Sequence, residues 1–170
     1  MHTGKLLAAQ SQHTFILKLV GDVRLTLCCT LDQLLERIFA DKEINSFVID
    51  LSETENLDST TLGLLAKIAV QAASNGLAQP SIISPNQDIT LLLESMGFRQ
   101  YFILLKQPLT TSQALQEVPQ LAGSEDHIKA QVLAAHLTLM SMNEQNKAAF
   151  KSVVQALEEC TGSDCFESKD

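Results

Sequence analysis

Two hydrophobic periods alternate along this chain. Residues 14–20 (TFILKLV) form an apolar run with β-branched and aromatic members, which predicts a strand broken by Gly21-Asp22. Residues 5–10 are a weaker strand candidate before it. Leu31, Leu34, Leu35, Ile38 and Phe39 then recur at helical spacing, with Asp32, Glu36 and Arg37 off the stripe. Thr30 suits the N-cap of that helix and Gln33 the capping-box position. Residues 46–51 (SFVIDL) are almost continuously apolar, as a central buried strand requires. A polar turn is expected at 52–56. From Ser59 to Ser74 the pattern is helical and apolar on most sides: Leu62, Leu65, Ala66, Ala69 and Ala73 form a wide face. Thr60, Gly63, Lys67, Gln71 and Ser74 trace an exposed stripe, and Asn75-Gly76 provides a stop.

Further along, residues 81–83 read as a short strand. Ile89, Leu92, Leu93 and Met96 make a short amphipathic helix closed by Gly97, residues 101–105 (YFILL) a last strand, and 112–118 a small helix. Helices lying between consecutive strands imply parallel pairing through crossover connections. The expected architecture is an α/β, mainly parallel or mixed sheet of about five strands, covered by about four helices and ending near Pro119. Residues 120–170 differ. Ser124 is a good N-cap with Glu125 and Asp126 in the first turn. Ile128, Val132, Ala135 and Leu139 share a helical face, widened by Leu133, Leu137 and Met140. Asn143 can restart a helix whose face is Phe150, Val153, Val154 and Leu157. Two helices of this size bury little core by themselves. They must pack on the α/β domain (1–119), on a second copy in a homodimer, or on another protein. A disordered tail is expected from about Thr161.

Composition narrows the function. The 170 residues carry a formal net charge of -8 and no Trp. Nucleic-acid binding needs a cationic footprint and, for single strands, stacking aromatics. No cationic footprint is visible and aromatic content is low, so direct DNA or RNA binding is not expected. No apolar run reaches the length of a membrane span. Residues 1–5 do not lead into a signal-peptide pattern, and a cytoplasmic location is expected. Cys28 and Cys29 are adjacent in an apolar stretch, which suits buried or half-buried free thiols in a reducing compartment. Cys160 and Cys165 could form a labile disulfide, at a spacing that matches no common zinc or redox motif. His2, His13, His127 and His136 are scattered and are read as surface or filler residues, with no metal site or cofactor implied. There is no G-x-G-x-x-G and no P-loop.

The informative stretch is Leu57-Asp58-Ser59-Thr60-Thr61-Leu62-Gly63. In an open α/β sheet, function collects where strands end and helices begin. A phosphate on Ser59 would meet the positive end of a helix dipole and free backbone N–H groups. It would also set about two negative charges beside Asp58 and repel a surface that accepts the neutral hydroxyl. Asp and Ser are equally favoured there as plain helix caps. Gly63 adds weight to a contact site: an interior helix glycine costs about 1 kcal/mol relative to alanine, so something is expected to approach it closely.

The segment Val48-Ile49-Asp50-Leu51-Ser52 followed by Leu57 to Leu65 resembles the signature of the STAS domain family, anti-sigma-factor-antagonist type: a hydrophobic strand ending in D-L-S, a turn, then D-S-[ST]-G-L-G. Gly21-Asp22, Asn75-Gly76, Ser84-Pro85-Asn86 and Met96-Gly97-Phe98 extend the resemblance over about residues 5–118. The resemblance implies a non-enzymatic bacterial protein that binds a serine-kinase anti-sigma factor, or a related switch protein, and so frees a sigma factor. It implies phosphorylation at Ser59, the residue after Asp58, and reversal by a PP2C-type phosphatase; Thr60, a second hydroxyl beside it, is the alternative acceptor. The implied partner surface is Asp22, Arg24, Asp58, Ser59, Thr60, Thr61, Leu62, Gly63 and Lys67, bordered by the 84–86 loop. Thr61 stands where the signature has glycine, which makes the helix start less permissive. Two other readings remain open at this stage. One is a structural STAS subunit of a transporter or stressosome-like assembly. The other is a small ligand-binding protein or enzyme using the Asp50/Asp58 region.

Overall fold

The computed structural model describes residues 2–108 and 114–159. Its centre is a six-stranded mixed sheet ordered β5-β4-β3-β2-β1-β6. Strands β1 (Lys5–Ser11) and β2 (Thr14–Val23) form an antiparallel hairpin whose tight turn places Gln12 at φ 56°. β2, β3 (Ser46–Leu57), β4 (Ser81–Ile83) and β5 (Ile103–Leu105) run parallel. Helix α1 (Cys28–Ala40) joins β2 to β3, α2 (Ser59–Ser74) joins β3 to β4, and α3 (Gln87–Ser95) joins β4 to β5. Parallel neighbours need such crossovers because a tight turn cannot reverse the chain twice.

Several local expectations change. β2 continues through Gly21-Asp22 to Val23, and β3 continues through the polar 52–56 stretch to Leu57. The two strands pair along that whole length, with register irregularities at Lys18/Val20 and Gly21/Asp22 that absorb the twist. Ladder hydrogen bonds and Thr54, whose hydroxyl donates to the Leu19 carbonyl at 2.7 Å, outweigh the polarity of the segment. Thr30 is not a cap: α1 starts at Cys28 after a 3-10 turn at Leu25–Leu27. Thr30 is buried inside the helix, where its hydroxyl accepts the Leu121 N–H at 2.9 Å, and Gln33 has no capping role. Tyr101 and Phe102 precede β5 and serve the core and a helix contact. The small helix expected at 112–118 is instead β6 (Gln116–Glu117), a sixth strand paired antiparallel with Leu7 and Ala8. Residues 112 and 113 of that expectation lie outside the described residues, as do Cys160, Cys165 and the tail.

The core is one cluster. Leu17, Leu19, Ile49 and Leu51 of the central strands meet Leu31, Leu35, Leu62, Leu65 and Ile68 of α1 and α2. Phe98 and Phe102 stack at 5.2 Å near the end of α3, where Gly97 takes a left-handed φ of 79° after the helix. Beyond this, α4 (Glu125–Met142) lies on α1 and α2, and α5 (Glu144–Glu159) folds back on α4. The Ser124 hydroxyl accepts the His127 N–H at 3.1 Å, and Asn143 Oδ1 accepts the Asn146 N–H at 2.7 Å. Both helix starts are thus capped by the residues whose chemistry predicts it. Among the described residues, no helix is long and apolar enough to cross a membrane.

Candidate functional site

The polar focus lies where β2 and β3 end. Asp58 is the N-cap of α2. Its Oδ1 accepts the Thr61 N–H and lies 2.8 Å from the Thr61 hydroxyl, while its Oδ2 accepts the Leu25 N–H at 2.7 Å. One carboxylate therefore ties the start of α2 to the chain leaving β2, and orphan helix donors are satisfied. Arg24, in that exit, is exposed and bonds Asp22 Oδ2 at 2.7 Å. Asp22 Oδ1 is buried without a donor among the described residues. Asp22, Arg24 and Asp58 thus share one end of the sheet.

Ser59 opens the first turn of α2 and is half-buried. Its Oγ lies 2.8 Å from His136 Nε2 on α4. His136 Nδ1 faces the Val132 carbonyl at 2.7 Å, an acceptor only, so Nδ1 holds a proton. In the neutral ring Nε2 is left as the acceptor, and the Ser59 hydroxyl donates to it. His136 is 4% exposed and meets Phe150 of α5 edge-on at 5.5 Å. It is therefore no surface residue.

The rest of the expected surface divides in two. Thr61 and Leu62 face the core. Thr61, in the position of the family's glycine, reinforces the cap with its hydroxyl and does not point outward. Thr60, Gly63 and Lys67 do not form an open stripe, because α4 covers them in part. Thr60 and Gly63 are buried. A Cβ on Gly63 would stand 2.6 Å from the Ala135 carbonyl carbon and 2.7 Å from Ala135 Cβ, nearer still to the carbonyl oxygen. The close approach that the glycine implies is made by this chain's own helix. Lys67 Nζ bonds Asp32 Oδ1 at 2.9 Å, and Asp32 Oδ2 accepts from Gln131 Nε2 at 2.9 Å. Asp32, 5% exposed, so bridges α1, α2 and α4.

Asp50 is elsewhere. It accepts the Ser52 N–H at 2.9 Å and lies 4.0 Å from Lys18 Nζ on the neighbouring strand. Eight residues of extended chain, roughly 25 Å at about 3.3 Å per residue, separate it from Asp58, so the two do not form an acid–base pair. Cys28 and Cys29 are buried free thiols. Burial, with Cys29 beside it, pushes the Cys28 thiol up to about 12. His136 and Asp32 are the polar residues that sequence reasoning missed. Asp32 carried no signal: it lies off the apolar stripe of α1, and its partner Lys67 is 35 residues away. His136 carried none either, since its partner is 77 residues away.

Comparison with known proteins bears on the family and the fold. The STAS domain family model matches residues 5–117, two thirds of the chain. The anti-sigma factor antagonist SpoIIAA in its unphosphorylated form superposes with a TM-score of 0.51 at 10% identity, over 60% of this chain and 87% of that one. Phosphorylated SpoIIAA, described as a Bacillus cell fate determinant, gives 0.50 at 10% identity over 59% and 90%. A Thermotoga maritima protein described as an anti-sigma factor antagonist gives 0.53 at 19% identity over 59% and 85%. At such identities the likeness is one of fold. No curated protein matches the chain. Helices α4 and α5 lie beyond the family match.

Proposed function

The chain belongs to the STAS domain family, and we propose that it acts as a phospho-regulated binding module of the anti-sigma-factor-antagonist type. In this reading it works in a bacterial cytoplasm without catalytic activity. It binds a serine-kinase anti-sigma factor, or a related switch protein, while Ser59 is unmodified. Phosphorylation of Ser59 by the kinase ends the complex, and a PP2C-type phosphatase restores it. The observation that carries the reading is the placement of Ser59. It follows the N-cap Asp58, at the carboxyl end of a central parallel strand, with Arg24 and Asp22 at the same sheet end. A phosphate there adds about two negative charges within one residue of a carboxylate. The Asp58 cap ties the backbone of Leu25 and Thr61 beside that charge.

The test is a pull-down of a serine-kinase anti-sigma factor with wild type, Ser59→Ala and Ser59→Asp. Ser59→Ala is expected to retain the partner and Ser59→Asp to lose it; equal binding by all three sinks the switch.

The cover of Ser59 by His136 favours a second reading, a STAS subunit whose serine is structural and whose interface is permanent. That reading expects the Ser59 hydroxyl to remain unmodified in cells, which phosphopeptide mapping decides.

A further inference from the structure

The hairpin α4–α5 sits on the same α2 face that the switch reading assigns to a partner. Three contacts hold it on that face, while Tyr101 Oη to the Met142 carbonyl, Asn146 Nδ2 to the Met96 carbonyl and the buried Leu139 and Met142 tie it to the domain elsewhere. The Ser59 hydroxyl bonds His136, the Ala135 backbone rests against Gly63, and Asp32 links Gln131 to Lys67. These are the positions a partner would need: the phosphate acceptor, the one residue without a side chain, and the cation of the stripe. The hairpin is nevertheless less deeply embedded than α2, although Ala135, Leu139 and Met142 join the core. Ten of the sixteen residues of α2 are buried, against four of eighteen in α4 and two of sixteen in α5. A crevice of about 260 Å³ remains between α2 and α4, lined by Lys67, Val70, Gln71, Gln131 and Thr138 among others. Gln71 Oε1 is buried with no donor among the described residues, so the seal leaves a polar atom unsatisfied. Leu137 and Val153 on the two helices remain about 40% or more exposed.

We propose that α4–α5 is an autoinhibitory cover. It occupies in cis the surface that a partner or kinase uses, and docking of the hairpin and phosphorylation of Ser59 exclude each other. The proposal rests on the switch reading of Ser59 and adds its regulation. In the phosphorylation step, Ser59 Oγ attacks the γ-phosphorus of ATP supplied by the kinase, and an Oγ–P bond forms. The bond from that phosphorus to the β–γ bridging oxygen breaks, ADP leaves, and the hydroxyl proton is released. With the hairpin docked, the imidazole sits 2.8 Å from Oγ and, in this reading, stands where a phosphoryl group on that oxygen would go. The acceptor is therefore available only when α4 is displaced. By linkage, a phosphate already present disfavours redocking to the same degree that docking disfavours phosphorylation. A partner that needs the open form binds with an affinity reduced by the open fraction. Dephosphorylation alone then does not give full binding; the hairpin must also lift.

The experiment uses the full chain with phosphoserine incorporated at position 59 during synthesis, so that no kinase has to be identified. Backbone hydrogen exchange is compared with the unmodified chain by mass spectrometry. Peptides from 125–159 are expected to exchange about 5- to 150-fold faster with the phosphate present, the range of ordinary site–site coupling. Peptides from β3 are expected to be unchanged, and treatment with a PP2C-type phosphatase to restore protection. Unchanged protection over 125–159 overturns the proposal, because the docked hairpin then tolerates the phosphate. Equal loss of protection in the hairpin and in β3 also overturns it, because the hairpin is then part of the core. Should the phosphorylated chain not fold, native-state exchange of the unmodified chain decides. The hairpin must open at lower denaturant than β2 and β3, and simultaneous opening refutes the cover. None of these measurements involves a partner. They can fail while the Ser59 pull-down succeeds, and they can succeed while the pull-down fails, so the two ideas fall separately.

Discussion

Gly63→Ala separates the hairpin from the domain beneath it. The new Cβ would lie 2.6 Å from the Ala135 carbonyl carbon and 2.7 Å from its Cβ. Carbon atoms rest comfortably at about 3.5–4.0 Å, so α4 has to retreat by about 1 Å. The opposing atoms belong to the helix backbone or sit directly on it, so no rotamer change relieves the clash. Overpacking of this kind costs about 1–3 kcal/mol. Alanine in a helix interior also gains about 1 kcal/mol over glycine. The two terms act on different states. The gain belongs to α2 whether or not α4 is docked, whereas the clash exists only in the docked form. Docking should therefore weaken by the full clash term, about 5- to 150-fold in the opening equilibrium, while the α/β core keeps or slightly raises its stability. Hydrogen exchange over 125–159 reads the first quantity. Thermal unfolding followed through β3 reads the second. Unchanged protection of α4 in the variant would refute the packing argument, since the helices would then have room that the structure denies them. A large fall in core stability would refute the assignment of the clash to the docked state alone.

Two further measurements address the site itself. Asp58→Ala removes the acceptor of the Leu25 and Thr61 N–H groups together, and should lower stability by about 1–2 kcal/mol in denaturant unfolding, at the upper end of N-cap losses; a loss below ~0.5 kcal/mol would mean that water replaces the carboxylate at no cost. Cys28, pushed up to about 12 from an ordinary value of 9.0, should carry about a thousandfold less thiolate than a free thiol at neutral pH. Alkylation mapped to Cys28 by mass spectrometry should therefore appear only when the chain unfolds, and labelling of the native chain at the rate of an exposed thiol would contradict its burial.

The local pattern carried much of the fold. Helix α2 runs from Ser59 to Ser74 as its periodicity predicts, because capping and amphipathicity are properties of neighbours in sequence. Ser124 and Asn143 mark helix starts for the same reason. The signature around Asp58 and Ser59 also survived, since a cap at a strand's carboxyl end needs only the strand and the helix. The errors fell where a partner strand outweighs local preference. The polar 52–56 segment is strand because β2 lies beside it, and residues 116 and 117 are strand because β1 offered an open edge.

What the sequence by itself determined about this protein is the alternation of elements, the caps, the family, and the position of Ser59 directly after the Asp58 cap. What only the tertiary structure decided is the state of that serine. Ser59 and His136 are 77 residues apart, and no periodicity links them. They meet because α4 has a modest apolar face and α2 has a glycine that lets a backbone come close. The sequence showed that something must approach Gly63; folding determined that the chain's own helix does so.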